Sequence, residues 1–252
     1  MELFYEVYEW LAGMVLSSAR IMPSFILLPF LNNNILVGSV RMPVALLLGA
    51  TLWPYETFLL DNIDIVLYLG LLMKEVVIGL FLAFFLSFPF WFIHAAGCII
   101  DNQRGATLSS TFDPVSGVDT SELANLFNLF IAAVFLCCGG MELVLQAIST
   151  SYKVSEPLLF CLPELWPLCS FLTQLMGQAL VISSPVVAAF LILEAILGLL
   201  SRYAPQMNAF SLALTMKSSI AFFILALYFA TAIPAKGIAS MLNIDAIQTW
   251  FS

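Results

Sequence analysis

Lys74, Glu75, Glu194 and Lys217 all lie inside long apolar runs. A charge in hydrocarbon costs roughly 2.5–3.5 kcal/mol on insertion scales, so such residues pair, face water or face another protein. Two chemistries fit. One is a proton or ion relay. The other is a set of interhelical or intersubunit ion pairs, for example Glu75 or Glu194 with Lys217, and the thin supply of acid and base groups favours it. Lys74 and Glu75 stand about 100° apart on a helix, which predicts that they do not simply neutralise each other across one face. Glu75 shares a face with Gly79, where another backbone can come close, and Glu194 with Gly198 repeats the spacing. Asn125 and Asn128, at i and i+3, suit interhelix hydrogen bonding.

Groups for enzymatic chemistry are scarce. His94 is the only histidine, and GxxxxGK[ST], HExxH and GxSxG are all absent. No paired-carboxylate or Cys/His constellation offers a nucleophile or a general base, so no catalytic residue is assigned and the chain reads as a non-enzyme. The five cysteines lack metal-ligand spacing, so neither a metal nor a cofactor is expected. Cys98, Cys137 and Cys138 read as small core hydrophobes. Cys161 and Cys169 bracket a Pro-rich loop, as free thiols or as a disulfide.

Composition sets the solvent. Of 252 residues, 62% are hydrophobic and 10% charged, and the mean hydropathy is +1.04. A soluble globule carries roughly 25% charged residues; this chain needs membrane lipid or a large apolar assembly around it. Basic residues are scattered singly, which excludes nucleic-acid binding. The acidic start does not suit a cleavable signal peptide.

Six apolar blocks follow: Trp10–Leu31, Pro43 to about Leu60, Ile65–Ile100, Leu123–Ile148, Leu168–Leu200 and Ala209–Ile233. The third would reach about 54 Å against ~30 Å of hydrocarbon. Pro89 is its expected breakpoint, which makes the block either a bent hairpin or a helix projecting beyond the bilayer; Pro185 interrupts the fifth, again over-long, and two such blocks add to the case for helical hairpins; Pro234 is expected to stop the sixth. Asp119 is expected to cap the fourth helix, with Glu122 at the third helical position. Arg202 falls in the last turn of the fifth, where it complements the negative helix end. Lys/Arg asymmetry between loops is missing, so orientation is not readable. There is no repeat or long linker, and residues 1–252 read as one domain.

One strip departs from the oil. Asp101–Glu122 is polar and turn-rich: Asp101, Asn102, Gln103, Arg104 and Gly105 open it, and Asp113, Pro114 and Gly117 follow. Polar backbone of this kind needs water or polar partners.

Taken in order, Arg20-Ile-Met-Pro23, Lys74-Glu75 with Gly79, Pro89-Phe-Trp, DNQRGATLSS from Asp101, Asp113-Pro114, Gly139-Gly140, Ser184-Pro185 and SRYAPQMNAF from Ser201 form a specific series. It resembles the T component of the type III secretion export apparatus, the SctT family, whose flagellar relative is FliR. It looks closest to the injectisome branch of enteric pathogens of the Salmonella and Shigella type. The resemblance implies an all-α, membrane-associated fold of helical hairpins with Pro-kinked over-long helices. It implies a place in a helical hetero-oligomeric export gate with R and S subunits, the U subunit packed outside, and inner rod or needle-base proteins adjoining. Such a gate sits at the bacterial inner membrane, lifted toward the periplasm, and secreted proteins cross it unfolded. It also implies that the loop Asp101–Thr120 plugs the closed pore. The composition alone would also allow a stand-alone secondary transporter or ion channel.

Overall fold

The structure, a computed structural model, describes residues 2–31, 38–53, 64–105, 121–157, 166–204 and 209–241. These form α1 (Glu2–Leu27), a 3-10 turn (Pro29–Leu31), α2 (Gly38–Leu52), α3 (Ile65–Arg104), α4 (Glu122–Cys137), α5 (Gly140–Val154), α6 (Trp166–Tyr203) and α7 (Ala209–Met241). Among the described residues there is no strand, as the oily composition requires: a helix satisfies its backbone within one segment, which no open strand can do in lipid. Trp10–Leu27, Ile65–Arg104 and Cys169–Tyr203 are each long and apolar enough to cross a membrane, and α4 with α5 qualifies as one broken span.

Proline does not divide the long blocks. α3 runs 40 residues through Pro89, and α6 runs 38 through Pro185. The hairpins expected at these prolines are not formed there. Proline removes a single ladder bond, and at Pro185 that loss is made good locally. The Ser184 hydroxyl donates to the Val181 carbonyl at 2.8 Å, the same carbonyl that an amide at position 185 would have engaged. α7 likewise stays helical through position 234 to Met241. The break falls where the sequence suggested continuity, between α4 and α5. Gly139 there adopts φ 78°, a left-handed conformation open to glycine at little cost. Gly140 meets the Phe135 ring, so a side chain at that position would collide with it.

The chain packs as two compact units, Met1–Phe88 with Phe135–Pro167 and Met241–Ser252, and Pro89–Val134 with Leu168–Ser240. The chain passes from one to the other inside α3 and α4 and again within the first residues of α6 and the last of α7, which is why no linker is visible in the sequence. In the first unit, Leu16, Ile21, Ala45, Leu71, Ile78 and Ile148 are buried. α1 and α3 touch backbone to backbone at Gly79, where an added Cβ would sit 2.9 Å from the Arg20 Cα. In the second unit, Phe90, Ile93, Ile100, Phe127, Ile182 and Phe190 are buried, and a Cβ on Gly97 would lie 2.6 Å from the Ala124 Cα.

Gly79→Ala therefore forces α1 and α3 apart and is expected to cost about 1–3 kcal/mol, the usual range for overpacking. Gly177→Ala, with nothing within 4 Å, should leave the unfolding midpoint unchanged or slightly raised. Thermal unfolding of both variants in detergent checks this, and equal midpoints would refute the close contact.

Candidate functional site

The first unit is built around one carboxylate. Glu75 (α3) and Arg20 (α1) are both fully buried. Arg20 Nε donates to Glu75 Oε2 at 2.5 Å and Nη2 donates to Oε1 at 3.0 Å, the two-pronged geometry that suits guanidinium to carboxylate. The remaining donors are used as well. Nη1 reaches Ser151 Oγ at 3.2 Å and Nη2 reaches the Ser155 carbonyl at 3.1 Å. The guanidinium lies 4.2 Å from the centre of the Tyr152 ring, and the Tyr152 hydroxyl shares a 2.7 Å hydrogen bond with Ser17.

Lys74 completes the centre. Its Nζ lies 3.0 Å from Glu75 Oε1 and donates to the carbonyls of Glu156 (2.9 Å) and Pro157 (2.6 Å). Two cations share one carboxylate, so carbonyl oxygens must balance the surplus. They come from Ser155, Glu156 and Pro157, just past the negative end of α5. The expectation that Lys74 and Glu75 do not neutralise each other is corrected here. Helical angle separates the two Cβ atoms, but the four-carbon stem of lysine reaches back across the gap. Arg20 was singled out in the sequence only as part of a motif. The signal that finds it is the one applied to Lys74, a lone cation within an apolar run.

The second unit holds a separate centre where α3 ends. Asp101 Oδ2 accepts from the Ser121 hydroxyl at 2.5 Å and from the Leu123 amide at 3.0 Å. Ser121 Oγ in turn accepts from the Ala124 amide at 3.1 Å. Two of the free amides that open α4 are thus satisfied, and a carboxylate sits at the positive helix end. The residue capping α4 is Ser121, supported by Asp101, with Glu122 at the first helical position. This replaces the expected frame of Asp119 and Glu122; Asp119 lies outside the described residues. Close packing of Gly97 on Ala124 brings the Asp101 carboxylate within reach, a long-range feature with no local trace.

Arg104 Nε lies 2.7 Å from Asp101 Oδ1, but out of line for a hydrogen bond, so the pair is a charge contact. Lys217 (α7) donates to the Gln103 carbonyl at 2.9 Å and pairs with the Glu194 carboxylate of α6. Of the two partners the sequence offered Lys217, Glu194 is the one engaged, while Glu75 belongs to the first unit's centre.

The other expected site residues are placed as follows. Asn102 and the Gln103 side chain are exposed, and Gly105 closes α3 with φ 82°. Asp113, Pro114, Gly117 and Cys161 lie outside the described residues. Arg202 is exposed in the last turn of α6. Among the described residues the asparagines make no interhelix hydrogen bond. Asn125 is exposed, and Asn128 Oδ1 is buried without a hydrogen-bond partner among the described residues. The reason is register: Ala124, Phe127 and Ile131 form the buried stripe of α4, and the asparagines fall beside it. Pro185 is exposed, and Gly198, expected at a packing contact, has no atom within 4 Å of its Cβ position.

Glu75→Gln leaves Arg20 and Lys74 buried without a counter-charge. A loss of about 3–5 kcal/mol is expected, as for breaking any buried ion pair from one side. The measurement is the yield of monodisperse protein on size exclusion in detergent, and wild-type yield would refute it. Asp101→Ala removes the brace at the start of α4, with an expected cost of about 1–2 kcal/mol in the same assay.

Residues 11–237 match the family described as bacterial export proteins, family 1. The chain is 43% identical to the surface presentation of antigens protein SpaR of Salmonella typhimurium, over 99% of this chain and 95% of that protein. It is 48% identical to SpaR of Shigella flexneri over 82% of this chain and 80% of the relative. The Yop proteins translocation protein T of Yersinia pestis is 30% identical over 91% and 90% respectively. With its all-helical build and its span-length apolar helices, the chain belongs to the bacterial export proteins, family 1.

Proposed function

We propose that this chain is a non-enzymatic structural subunit of a type III secretion export gate, acting as a single domain within a hetero-oligomeric channel. The observation that carries this reading is the family match over residues 11–237, with the Salmonella typhimurium SpaR aligned over 99% of this chain and 95% of its own length. The physical picture agrees with it. Both ionic centres are built from groups that hold helices together, and neither presents a nucleophile or a paired acid and base. Meanwhile α6 leaves Leu172, Met176, Leu180, Val181, Leu191, Ile192 and Ile196 exposed, an apolar surface that calls for neighbours or lipid.

R and S subunits are the proposed neighbours in the gate, with the U subunit outside, rod or needle-base proteins above, and the bacterial inner membrane as the site. Unfolded secreted proteins are the cargo. The strip Asp101–Thr120 is the proposed plug. Its composition supports this, as does the anchoring of its first residues, where Asp101 is tied to the start of α4 and the Gln103 carbonyl to Lys217.

Affinity purification of the tagged full chain from membranes should bring down several other small membrane proteins in fixed ratio, and deletion of the gene should abolish secretion. Uptake of a small solute by the purified chain alone would overturn the subunit reading in favour of a transporter. Shortening Gly105–Gly117 should raise ion leak through an assembled gate; unchanged membrane conductance would remove the plug assignment.

A further inference from the structure

Arg20 and Lys74 share the Glu75 carboxylate, but a third buried cation of the first unit has no such counterpart. Arg41 is 7% exposed and stands in the first turn of α2. Its Nη2 donates to the Leu31 carbonyl at 3.2 Å, a neutral acceptor, and Nε is buried with no hydrogen-bond partner among the described residues. Nη1 is neither engaged there nor buried, so it is the donor an arriving group would meet. Among the described residues no carboxylate lies within ion-pair distance of Arg41. The sequence offers none nearby, since Trp10 to Tyr55 contains no Asp or Glu. Residues 32–37 lie outside the described residues, and their Asn, Ile, Leu and Val side chains bring no negative charge. A buried guanidinium left in this state is costly.

The helix adds to the deficit. α2 opens at Gly38 with no acidic residue in its first turn, and the amides that open a helix form its positive end. Gly38, Ser39 and Val40 are exposed, and nothing lies within 4 Å of a Cβ placed on Gly38. Helical side chains lean toward the N-terminus. Arg41 does so, since it bonds Leu31, which precedes α2. Guanidinium and helix start together suit a tetrahedral oxyanion.

The level of the site suits one source of such a group. α1 carries the span-length run Trp10–Leu27, and α2 returns along it: a Cβ on Gly49 would meet the Met14 and Ser18 backbone, while Arg41 reaches Leu31. Arg41 therefore stands near the end of that run, where lipid headgroups lie. Val40, Met42 and Leu47, on the outward sides of α2, are exposed and apolar, as acyl chains require.

We propose that Arg41 and the first turn of α2 bind a phosphate group, presented by a phospholipid headgroup or as the free anion. The inference goes beyond the subunit reading and does not depend on it.

The test follows the thermal unfolding midpoint of the full chain in neutral detergent, which rises when a ligand binds the folded state. Phosphatidylglycerol is compared with diacylglycerol, which has the tails without the phosphate, and with inorganic phosphate. Phosphatidylglycerol should stabilise the chain and diacylglycerol should not. A matching response to inorganic phosphate assigns the site to the free anion, and its silence assigns the site to the lipid. Arg41→Gln should weaken the phosphate response about tenfold in apparent affinity, the scale of one charge-assisted contact. Gly38→Asp sets a carboxylate three positions before Arg41, where the two side chains are neighbours. It should weaken the response as much while raising the midpoint of the unliganded chain. That side chain enters open space, so the result stands even if Arg41→Gln lowers yield. Lys153→Gln, at an exposed cation in the last turn of α5, should leave the response unchanged. The inference is overturned by no response to either phosphate ligand, by diacylglycerol matching phosphatidylglycerol, by a response undiminished in both Arg41→Gln and Gly38→Asp, or by one equally diminished in Lys153→Gln.

Discussion

The Glu75 carboxylate is the constraint around which the first unit is arranged. A chain with 10% charged residues has few ions to place, and each one sited in the oil must find its complement nearby. Glu75 takes two cations, Arg20 from α1 and Lys74 from its own helix. The surplus positive charge then fixes where the chain must go after α5, because the carbonyls just past its end are the acceptors that remain. One ionic requirement thereby sets the mutual placement of three helices. Glycine at position 79 is part of the same requirement, since α1 must lie against α3 for a guanidinium to meet Glu75 in a forked geometry. An ion pair of this kind is a weak source of net stability but a strong penalty on any arrangement that separates its members. Its contribution is to make one packing of the helices acceptable.

The second unit solves a different problem with similar means. A long helix that stops inside apolar surroundings exposes carbonyls, and the next helix opens with free amides. Asp101 answers the Leu123 amide of α4, Ser121 the Ala124 amide, and Lys217 the Gln103 carbonyl of α3. The polar strip that begins here is therefore anchored at its first residues by charged groups, whatever its remaining length does.

Much of this was legible in the sequence, and the failures are physical rather than random. Block positions followed from hydropathy, because apolar length in lipid translates directly into helix. The ions at Lys74, Glu75, Glu194 and Lys217 stood out for the same reason. What could not be read was anything set by contact across long sequence distance. Ser121 caps α4 because Gly97 and Ala124 bring Asp101 to it, and no local pattern encodes that approach. Proline was over-weighted: Ser184 repairs the gap at Pro185, so the loud residue is silent and the quiet Gly139 carries the break. Arg20 was named only within a motif, although it stands inside the Trp10–Leu31 run as a lone cation.

The distribution of satisfied and unsatisfied groups separates fold from function. Glu75, Arg20, Lys74 and Asp101 meet their needs within the chain, so they speak of how the subunit holds its shape. Glu194 keeps one oxygen without a partner among the described residues, and the glycine one turn on and the apolar side chains along α6 stand open there too. A transporter acting alone would be expected to turn its half-paired carboxylates toward an internal path and to show lipid a plain apolar surface. Here the half-paired carboxylate lies on the same side of α6 as exposed Met176, Leu180 and Leu191. That arrangement fits a subunit whose outer face is finished by another chain.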